Sequence, residues 1–154
     1  MTRRKNIKIL TMLMFLSSSV LLYPETINKE IILDIGTSFG IPTSVTNQLA
    51  IEESSWNPNA IGPVGSDGYR CMGLFQLNPK WQSYLCSKFY FHPAKYFDIL
   101  NPIDNSTVAL RYLAALHRQF KTWERALWFY NCGSVINVSE KTKAYARRII
   151  NAKE

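Results

Sequence analysis

The sequence predicts one mainly α-helical domain of about six to seven helices. Its 154 residues, 47% of them hydrophobic, suffice for one domain with a core and are too few for two. Apolar residues recur at helical spacing, first at Ile27, Ile31, Ile35 and Phe39. Capping residues, prolines and glycines then divide the rest of the chain into segments of helix length.

The first two predicted helices meet at a glycine followed closely by a proline. Thr26 is the expected N-cap of the first helix, and Gly40 is its expected C-terminal stop. Pro42 suits the first turn of the second helix. That helix should end near Ser55, because residues that precede a proline, here Pro58, leave the helical conformation.

The later elements follow from turn residues and caps. Residues 61–69 are rich in glycine, proline, serine and aspartate, which predicts a loop. The other predictions are a short helix over 79–88, an irregular segment over 91–100, a long helix over 103–120, a helix over 123–130 capped by Thr122, and a last helix capped by Ser139 that ends near residue 152.

Residues 1–23 have the pattern of a secretory signal peptide and precede a domain that we place at residues 26–154. Basic residues occupy positions 3–5, and an apolar run follows over 9–22 that is short for a membrane-spanning helix. We therefore expect an exported protein of the periplasm or cell envelope. No Ala-x-Ala cleavage site is present, so an uncleaved N-terminal anchor is the alternative.

The charge distribution argues against a nucleic-acid partner. The formal charge is +7, but Arg3, Arg4, Lys5 and Lys8 lie in the leader, which leaves +3 from Pro24 onward. A mildly basic body is compatible with an anionic cell-wall polymer.

The three cysteines leave one thiol over if a disulfide forms. Cys132 can pair with Cys71 or with Cys86, and the sequence does not choose between them. The cysteines and the two histidines, His92 and His117, show no spacing typical of metal ligands, so we expect no metal and no cofactor.

Two adjacent glutamates, Glu52 and Glu53, fall in the last turn of the second helix. Neighbouring helix residues point about 100° apart, so one carboxyl can face the interior while the other faces water. Apolar surroundings, for which Trp56 and Trp81 are candidates, and the negative end of the helix both raise a carboxyl pKa. A carboxyl that keeps its proton near neutral pH suits general acid catalysis.

Two further motifs follow that pair, GLFQLNP at residues 73–79 and FYNCG at residues 129–133. In this order, and together with residues 50–60, they resemble the catalytic domain of the lytic transglycosylases, the lysozyme-like enzymes that cut peptidoglycan. The resemblance covers about residues 26–151 and implies a lysozyme-like fold of the goose-type or SLT class with a substrate cleft. The chain departs from the family pattern at Cys132, where alanine is usual, and in a lengthened loop over 61–69.

The resemblance places the catalytic acid at Glu53 and leaves Glu52 at the surface. It also implies that several residues bind substrate or line the cleft: Ser54, Gln76, Tyr130, Asn131 and Tyr145. Without the resemblance, two structural roles are about equally well supported. Gln76 can form a hydrogen bond to backbone instead of contacting a sugar, and Tyr145 can be a half-buried helix residue instead of a partner of the catalytic glutamate.

The resemblance also implies a mechanism. Glu53 protonates the β-1,4 oxygen between N-acetylmuramic acid and N-acetylglucosamine, while the muramic 2-acetamido group stabilises the cationic centre. Ionised Glu53 then accepts the proton of the 6-hydroxyl group, which closes a 1,6-anhydro ring. One carboxyl thus does the work that two carboxylates do in ordinary glycosidases.

Three alternatives remain beside a lytic transglycosylase. They are a goose-type lysozyme that hydrolyses the same bond, a catalytically inactive peptidoglycan-binding or assembly protein, and a membrane-anchored structural protein. Small exported members of the family often serve a secretion system, a pilus or a phage. The expected partners are therefore peptidoglycan glycan strands and such a machine, with no nucleic acid, membrane contact only through an uncleaved N-terminal segment, and a monomeric chain.

Overall fold

The computed structural model describes residues 28–152, and this part of the chain forms six α-helices and one two-stranded antiparallel sheet. The elements are α1 (Lys29–Ser38), α2 (Thr43–Ser54), β1 (Ile61–Val64), β2 (Arg70–Met72), α3 (Gln82–Phe89), α4 (Pro102–Phe120), α5 (Trp123–Cys132) and α6 (Glu140–Ile150). The predicted mainly α class and number of helices are confirmed. The signal segment predicted at 1–23 and the predicted cap Thr26 lie outside the described residues.

Helix α4 is the centre of the domain. It packs against α1, α3 and α5, while α6 packs against α5 and α2. Asn101 begins α4 by accepting hydrogen bonds from two backbone N–H groups of its first turn. Val108, Leu110 and Leu113 on this helix are completely buried. Burial of one such side chain contributes about 1.5–3 kcal/mol to the stability of the fold. These residues of α4 therefore stabilise the packing of the helices around it.

The buried side of α1 differs from the prediction. Asn28, through its side chain, is the N-cap of the helix. Ile31 is 47% exposed, whereas Ile32 and Gly36 are buried. A Cβ atom at Gly36 would overlap Thr46 Oγ1 on α2, so the glycine allows the two helices to approach. The helix therefore turns its smallest residue to α2. Ile35 and Phe39 of the predicted stripe do pack against the core, so the prediction is wrong for Ile31, whose place is taken by Ile32.

The loop predicted over residues 61–69 is wrong for residues 61–64, which form β1 and pair with β2 in a hairpin, while residues 65–69 form the connecting turn. Ile61 lies opposite Met72, and the register is irregular along the pair. Asp67 holds the connecting turn: Oδ1 accepts the Tyr69 N–H at 3.1 Å and Oδ2 accepts the Asn78 amide at 2.9 Å. The short strand β1 was not predicted because the glycines and proline of this segment are typical of turns.

The turn from Met72 to Leu77 carries the second motif and is attached to α4 through Asn105. The Asn105 side chain is buried, accepts the Phe75 N–H at 2.8 Å and donates to the carbonyl oxygens of Met72 and Ile99 at 3.1 and 2.9 Å. Three hydrogen bonds to backbone from one buried amide leave the turn little freedom. Asn105 thus sets the position of this turn from within the core.

The remaining elements agree with their predictions. Thr122 and Ser139 cap α5 and α6 through their side chains. Helix α5 continues two residues beyond the predicted end and stops at Gly133, whose φ is +70°. The segment 91–100 is irregular apart from one 3-10 turn, Ala94–Tyr96. Across residues 28–152, no helix has both the length and the hydropathy that a bilayer span requires.

The structure sorts the aromatic residues of segment 81–97, which the sequence leaves open. Four are more than half exposed: Trp81, Tyr84, Phe91 and Tyr96. Three others pack against the core: Phe89, Tyr90 and Phe97.

Candidate active site

Glu53 lies in the last turn of α2, as the sequence predicts. The helix ends there because Ser55 and Trp56 both adopt left-handed conformations, with φ values of +53° and +64°. The Ser55 N–H donates to the Ile51 carbonyl at 2.9 Å, and the Trp56 N–H donates to the Ala50 carbonyl at 3.2 Å. These bonds satisfy carbonyl groups at the helix end, and the helix terminates at Ser54, one residue after Glu53.

Tyr145 is the direct partner of Glu53. Its hydroxyl group donates to Glu53 Oε1, and the tyrosine itself is only 7% exposed. Burial, the negative charge of Glu53 and this hydrogen bond hold the pKa of Tyr145 well above its ordinary value. The phenol is therefore a permanent donor near neutral pH. Because Oε1 is occupied, Oε2 is the atom of Glu53 that is left to carry a proton outward.

Burial raises the pKa of Glu53 to about 7. The hydrogen bond from Tyr145 opposes this shift, and the neighbouring charge of Glu52 adds to it. A carboxyl with a pKa near neutrality is present in both protonation states at pH 7. It can therefore give up a proton in one step and take one in another.

Tyr145 and Tyr130 are the aromatic residues linked to this carboxyl, through a hydrogen bond and through charge. Trp81 is 55% exposed. The Trp56 indole donates to Asn47 at 3.2 Å and lies below the Lys29 ammonium group. These positions give no support to the apolar wall predicted at the two tryptophans.

Glu52 has different surroundings, and the expectation of a bland surface residue is wrong. Its side chain is only 15% exposed and accepts two hydrogen bonds from Arg148, at 2.8 and 2.7 Å. The hydrogen bond from Arg148 is the main cause that lowers the pKa of Glu52. The two adjacent carboxyls therefore differ: Glu52 is ionised at neutral pH, while Glu53 titrates near neutral pH.

Ser54 follows Glu53 and directs its hydroxyl group back into the helix. The Oγ atom donates to the Ala50 carbonyl at 3.2 Å. Its lone pairs are the polar feature that it can still offer to a ligand.

Gln76 is oriented by backbone carbonyls. Its Nε2 donates to the carbonyl oxygens of Gly73 and Ala60 at 2.9 and 3.2 Å, and its own backbone has a φ of +50°. Two carbonyl acceptors assign the amide orientation, because only the NH2 group can satisfy both. The backbone hydrogen bond that the residues alone favoured is thus present, and Oε1 faces the other way, beside Gly62.

Tyr130 joins the third motif to the second. Its hydroxyl group donates to the Phe75 carbonyl at 2.8 Å, on the turn that carries Gln76. Its ring lies against Tyr112, with centroids 5.9 Å apart. Burial and then the charge of Glu53 raise the pKa of Tyr130 well above its ordinary value. The structure therefore brings Tyr130 and Tyr145 into the surroundings of the same carboxyl.

Asn131 is exposed and lies at the junction of α5 and α6. Its Oδ1 accepts a hydrogen bond from the Thr142 hydroxyl at 3.0 Å. The side-chain NH2 group is then free to donate to a ligand.

Cys71 is a neighbour of Glu53 that the sequence did not reveal. Burial, then the charge of Glu53 and then that of Asp67 raise the pKa of its thiol. Its position on β2 depends on the hairpin, which the sequence did not predict. All three cysteines of the described chain are free thiols, so neither pairing considered for Cys132 is formed.

The comparisons with known proteins agree with this architecture. The family model of the transglycosylase SLT domain matches residues 30–153. The chain therefore belongs to the transglycosylase SLT domain family. A search of curated proteins found no match.

Two solved structures share the fold. One is an inactive mutant of the lytic transglycosylase Slt from Pseudomonas aeruginosa, with a TM-score of 0.63 and 19% identity over 83% of this chain and 23% of that one. The other is the 70 kDa soluble lytic transglycosylase of Escherichia coli, with a TM-score of 0.56 and 22% identity over 76% of this chain and 22% of that one. The chain thus spans less than a quarter of the length of either protein.

Proposed function

We propose that this protein is a peptidoglycan lytic transglycosylase in which Glu53 acts first as the acid and then as the base. The observation that carries the proposal is the half-buried Glu53 carboxyl, with a pKa of about 7 and one oxygen held by Tyr145. Membership of the transglycosylase SLT domain family supports the choice of substrate.

In the first step, Glu53 donates its proton to the β-1,4 oxygen between N-acetylmuramic acid and N-acetylglucosamine. The bond between that oxygen and C1 of the muramic residue breaks, and the N-acetylglucosamine leaves with a free 4-hydroxyl group. The 2-acetamido group of the muramic residue stabilises the positive charge at C1. Tyr145 keeps its hydrogen bond to Glu53 Oε1 and stabilises the carboxylate that forms.

In the second step, the 6-hydroxyl oxygen of the muramic residue bonds to C1 and closes the 1,6-anhydro ring. The proton of that hydroxyl passes to Glu53, which restores the starting acid. No water is consumed and no metal or cofactor takes part. One carboxyl suffices because its pKa permits both proton transfers at neutral pH.

The other predicted site residues have polar atoms suited to sugar hydroxyl and acetamido groups. We assign substrate contacts to the lone pairs of Ser54, to Gln76 Oε1 and to the Asn131 NH2 group. Tyr130 lines the same region and holds the turn that carries Gln76.

Mass spectrometry of muropeptides tests this function directly. Purified protein should release products with 1,6-anhydromuramic acid from peptidoglycan. Glu53→Gln should abolish release, because the amide can neither donate the proton nor accept it. Glu124→Gln is a matched control, since Glu124 is an exposed glutamate in the first turn of α5.

Folded Glu53→Gln protein that still cleaved peptidoglycan would disprove the assignment of the acid. Folded wild-type protein without products would favour the peptidoglycan-binding alternative.

Hydrolysis of the same bond is the second candidate, and Asp67 is the observation that favours it. Hydrogen bonds from the Tyr69 backbone and the Asn78 side chain lower the pKa of this exposed carboxyl. The charge of Asp67 raises the pKa of the Cys71 thiol, and so does the charge of Glu53. A glycosidase of the lysozyme type uses such an ionised carboxylate beside the acid. Reducing-end products that disappear in Asp67→Asn would establish hydrolysis.

We also propose that residues 1–23 direct export to the periplasm or cell envelope, where the monomeric domain at 26–154 opens the wall locally for a secretion, pilus or phage machine. Cell fractionation of the full chain tests export. Recovery of the protein only from the cytoplasm would contradict it.

A further inference from the structure

Two side-chain connections run in parallel between the ends of α2 and α6. Tyr145 donates to Glu53, and Arg148 donates to Glu52. Glu52 and Glu53 are adjacent on α2, and Arg148 follows Tyr145 by three residues on α6. Residues three apart lie on the same side of a helix. On α6 both connections therefore start from the same face, about one turn apart, whereas on α2 they end at neighbouring residues that point about 100° apart.

The outer connection has the geometry of a strong ion pair. Arg148 Nε donates to Glu52 Oε1 at 2.8 Å, and Nη2 donates to Oε2 at 2.7 Å. Both carboxylate oxygens are engaged in this bidentate arrangement, which fixes direction as well as distance. Gln48, one turn earlier on α2, approaches Oε1 at 3.5 Å. The Glu52 side chain is 15% exposed, so it is less screened by water than a typical surface carboxylate.

The Glu52–Arg148 pair lies beside Glu53, so it affects the charge around that carboxyl as well as the stability of the fold. Two adjacent carboxyls at the C-terminal end of a helix face the negative end of the helix dipole and repel each other. Without a cation, an ionised Glu52 would oppose every ionisation of Glu53. Arg148 places that cation against Glu52 and makes no hydrogen bond to Glu53 in the described structure.

We propose that Glu52 and Arg148 are positioning residues for Glu53: they lock α6 to α2 beside the Tyr145–Glu53 hydrogen bond and neutralise the carboxylate next to the acid. This inference rests on the proposed catalytic role of Glu53. It adds two residues that do not touch the reacting atoms and act through the acid.

The titratable groups around Glu53 come from four elements. Tyr145 on α6 and Glu52 on α2 act on the pKa of Glu53, and the charge of Glu53 in turn raises the pKa of Tyr130 on α5 and of Cys71 on β2. Of these, only Glu52 is ionised at neutral pH, because hydrogen bonding to Arg148 lowers its pKa while burial raises those of the two tyrosines and the thiol. A substitution in the Glu52–Arg148 pair is therefore the simplest way to change the charge next to Glu53.

The two partners have opposite expected effects on Glu53. Arg148→Ala leaves an unpaired carboxylate beside the acid, so the pKa of Glu53 should rise. Glu52→Gln removes that carboxylate and leaves the Arg148 cation, so the pKa of Glu53 should fall. Each shift should be on the order of 0.5 unit, the size expected for one charge acting through partly solvated surroundings. A purely structural clamp would instead loosen Tyr145 in both variants and shift the pKa in the same direction.

The test is a carbon-13 NMR titration of the Glu53 carboxyl in the full chain, for wild type, Arg148→Ala, Glu52→Gln and the double variant. Arg147→Ala is the matched control, because Arg147 is the adjacent arginine of α6 and approaches Glu140 instead. Peptidoglycan cleavage is measured across pH in parallel. The basic limb of the rate profile should move to higher pH in Arg148→Ala and to lower pH in Glu52→Gln.

Shifts of opposite sign with no shift in Arg147→Ala support the inference. Shifts of the same sign, or none in either variant, overturn it. Arg148→Lys separates the two parts of the proposal, because lysine keeps the charge and loses the bidentate contact: a pKa close to wild type with a lower kcat confirms that the geometry matters as well. The titration needs no substrate, so opposite shifts without any cleavage would reject the proposed function and leave the electrostatic coupling intact.

Discussion

Removal of the Tyr145 hydroxyl group is the substitution that tests the site most sharply. In Tyr145→Phe the ring still fills its buried position on α6, so the fold should be retained. The hydrogen bond to Glu53 Oε1 is lost. That bond favours the ionised carboxylate and opposes the effect of burial, so the pKa of Glu53 should rise above its present value of about 7.

The size of the shift follows from the type of hydrogen bond. A hydrogen bond to a charged group contributes about 1.5–3 kcal/mol, and one pKa unit corresponds to about 1.4 kcal/mol. Tyr145→Phe should therefore raise the pKa of Glu53 by about 1–2 units. At pH 7 the ionised fraction would then fall by about fivefold to fiftyfold. The first proton transfer should suffer most, because a carboxyl of higher pKa is a weaker acid and the carboxylate that it forms has lost its hydrogen bond.

The assay is a carbon-13 titration of the Glu53 carboxyl combined with the pH profile of peptidoglycan cleavage. The basic limb of the profile should move to higher pH, and kcat at pH 7 should fall. Tyr96→Phe is the matched control, since Tyr96 is 63% exposed on a 3-10 turn. An unchanged or lowered pKa in Tyr145→Phe would show that Tyr145 does not stabilise the carboxylate.

Two further predictions concern stability. The pKa of Glu53 is higher in the folded chain, about 7, than the ordinary value of 4.5, so the folded state binds more protons between these pH values and loses stability as pH rises through them. Glu53→Gln removes this loss and should be more stable than wild type at pH 8, by at most about 3 kcal/mol, with little difference at pH 4; urea unfolding at both pH values measures it, and an equal difference at both would contradict the assignment. Gly73→Ala should cost about 2–5 kcal/mol in the same assay, because φ is +82° and the new Cβ would overlap Asn105 Nδ2 and the Ile99 carbonyl. Gly40→Ala separates the two causes, since Gly40 has a φ of +76° and open space around it; an equal cost in both variants would show that crowding at Gly73 contributes nothing.

Several helix boundaries could be predicted from the sequence because one residue sets each of them, although the start of α1 at Asn28 was not among them. Thr122 and Ser139 cap α5 and α6, and Gly40 follows α1 with a positive φ, as their residue types predict. Capping depends on hydrogen bonds within one turn, so the relevant information is local. The hairpin of β1 and β2 was missed because its pairing depends on residues from two segments, and its glycines and proline are equally typical of a loop.

The buried side of a helix was less predictable than its ends. Ile31 and Ile32 are adjacent and equally apolar, and the packing of α1 against α2 and α4 decides that Ile32 is buried. The aromatic segment 81–97 shows the same limit. Its composition predicts that some rings are buried, but the assignment of each ring depends on neighbours that are distant in sequence.

The class of fold, the order of the three motifs and the position of an acidic pair at a helix end all follow from the sequence. The difference between the two carboxyls arises only from the packing of distant helices. Tyr145 is 92 residues from Glu53, and Arg148 is 96 residues from Glu52. A carboxyl pKa depends on burial and on the donors and charges within a few ångströms, and here those donors arrive from α6 only when it packs against α2. Two identical residues side by side thus become a carboxyl of raised pKa and an ion-pair partner through contacts that no local pattern contains.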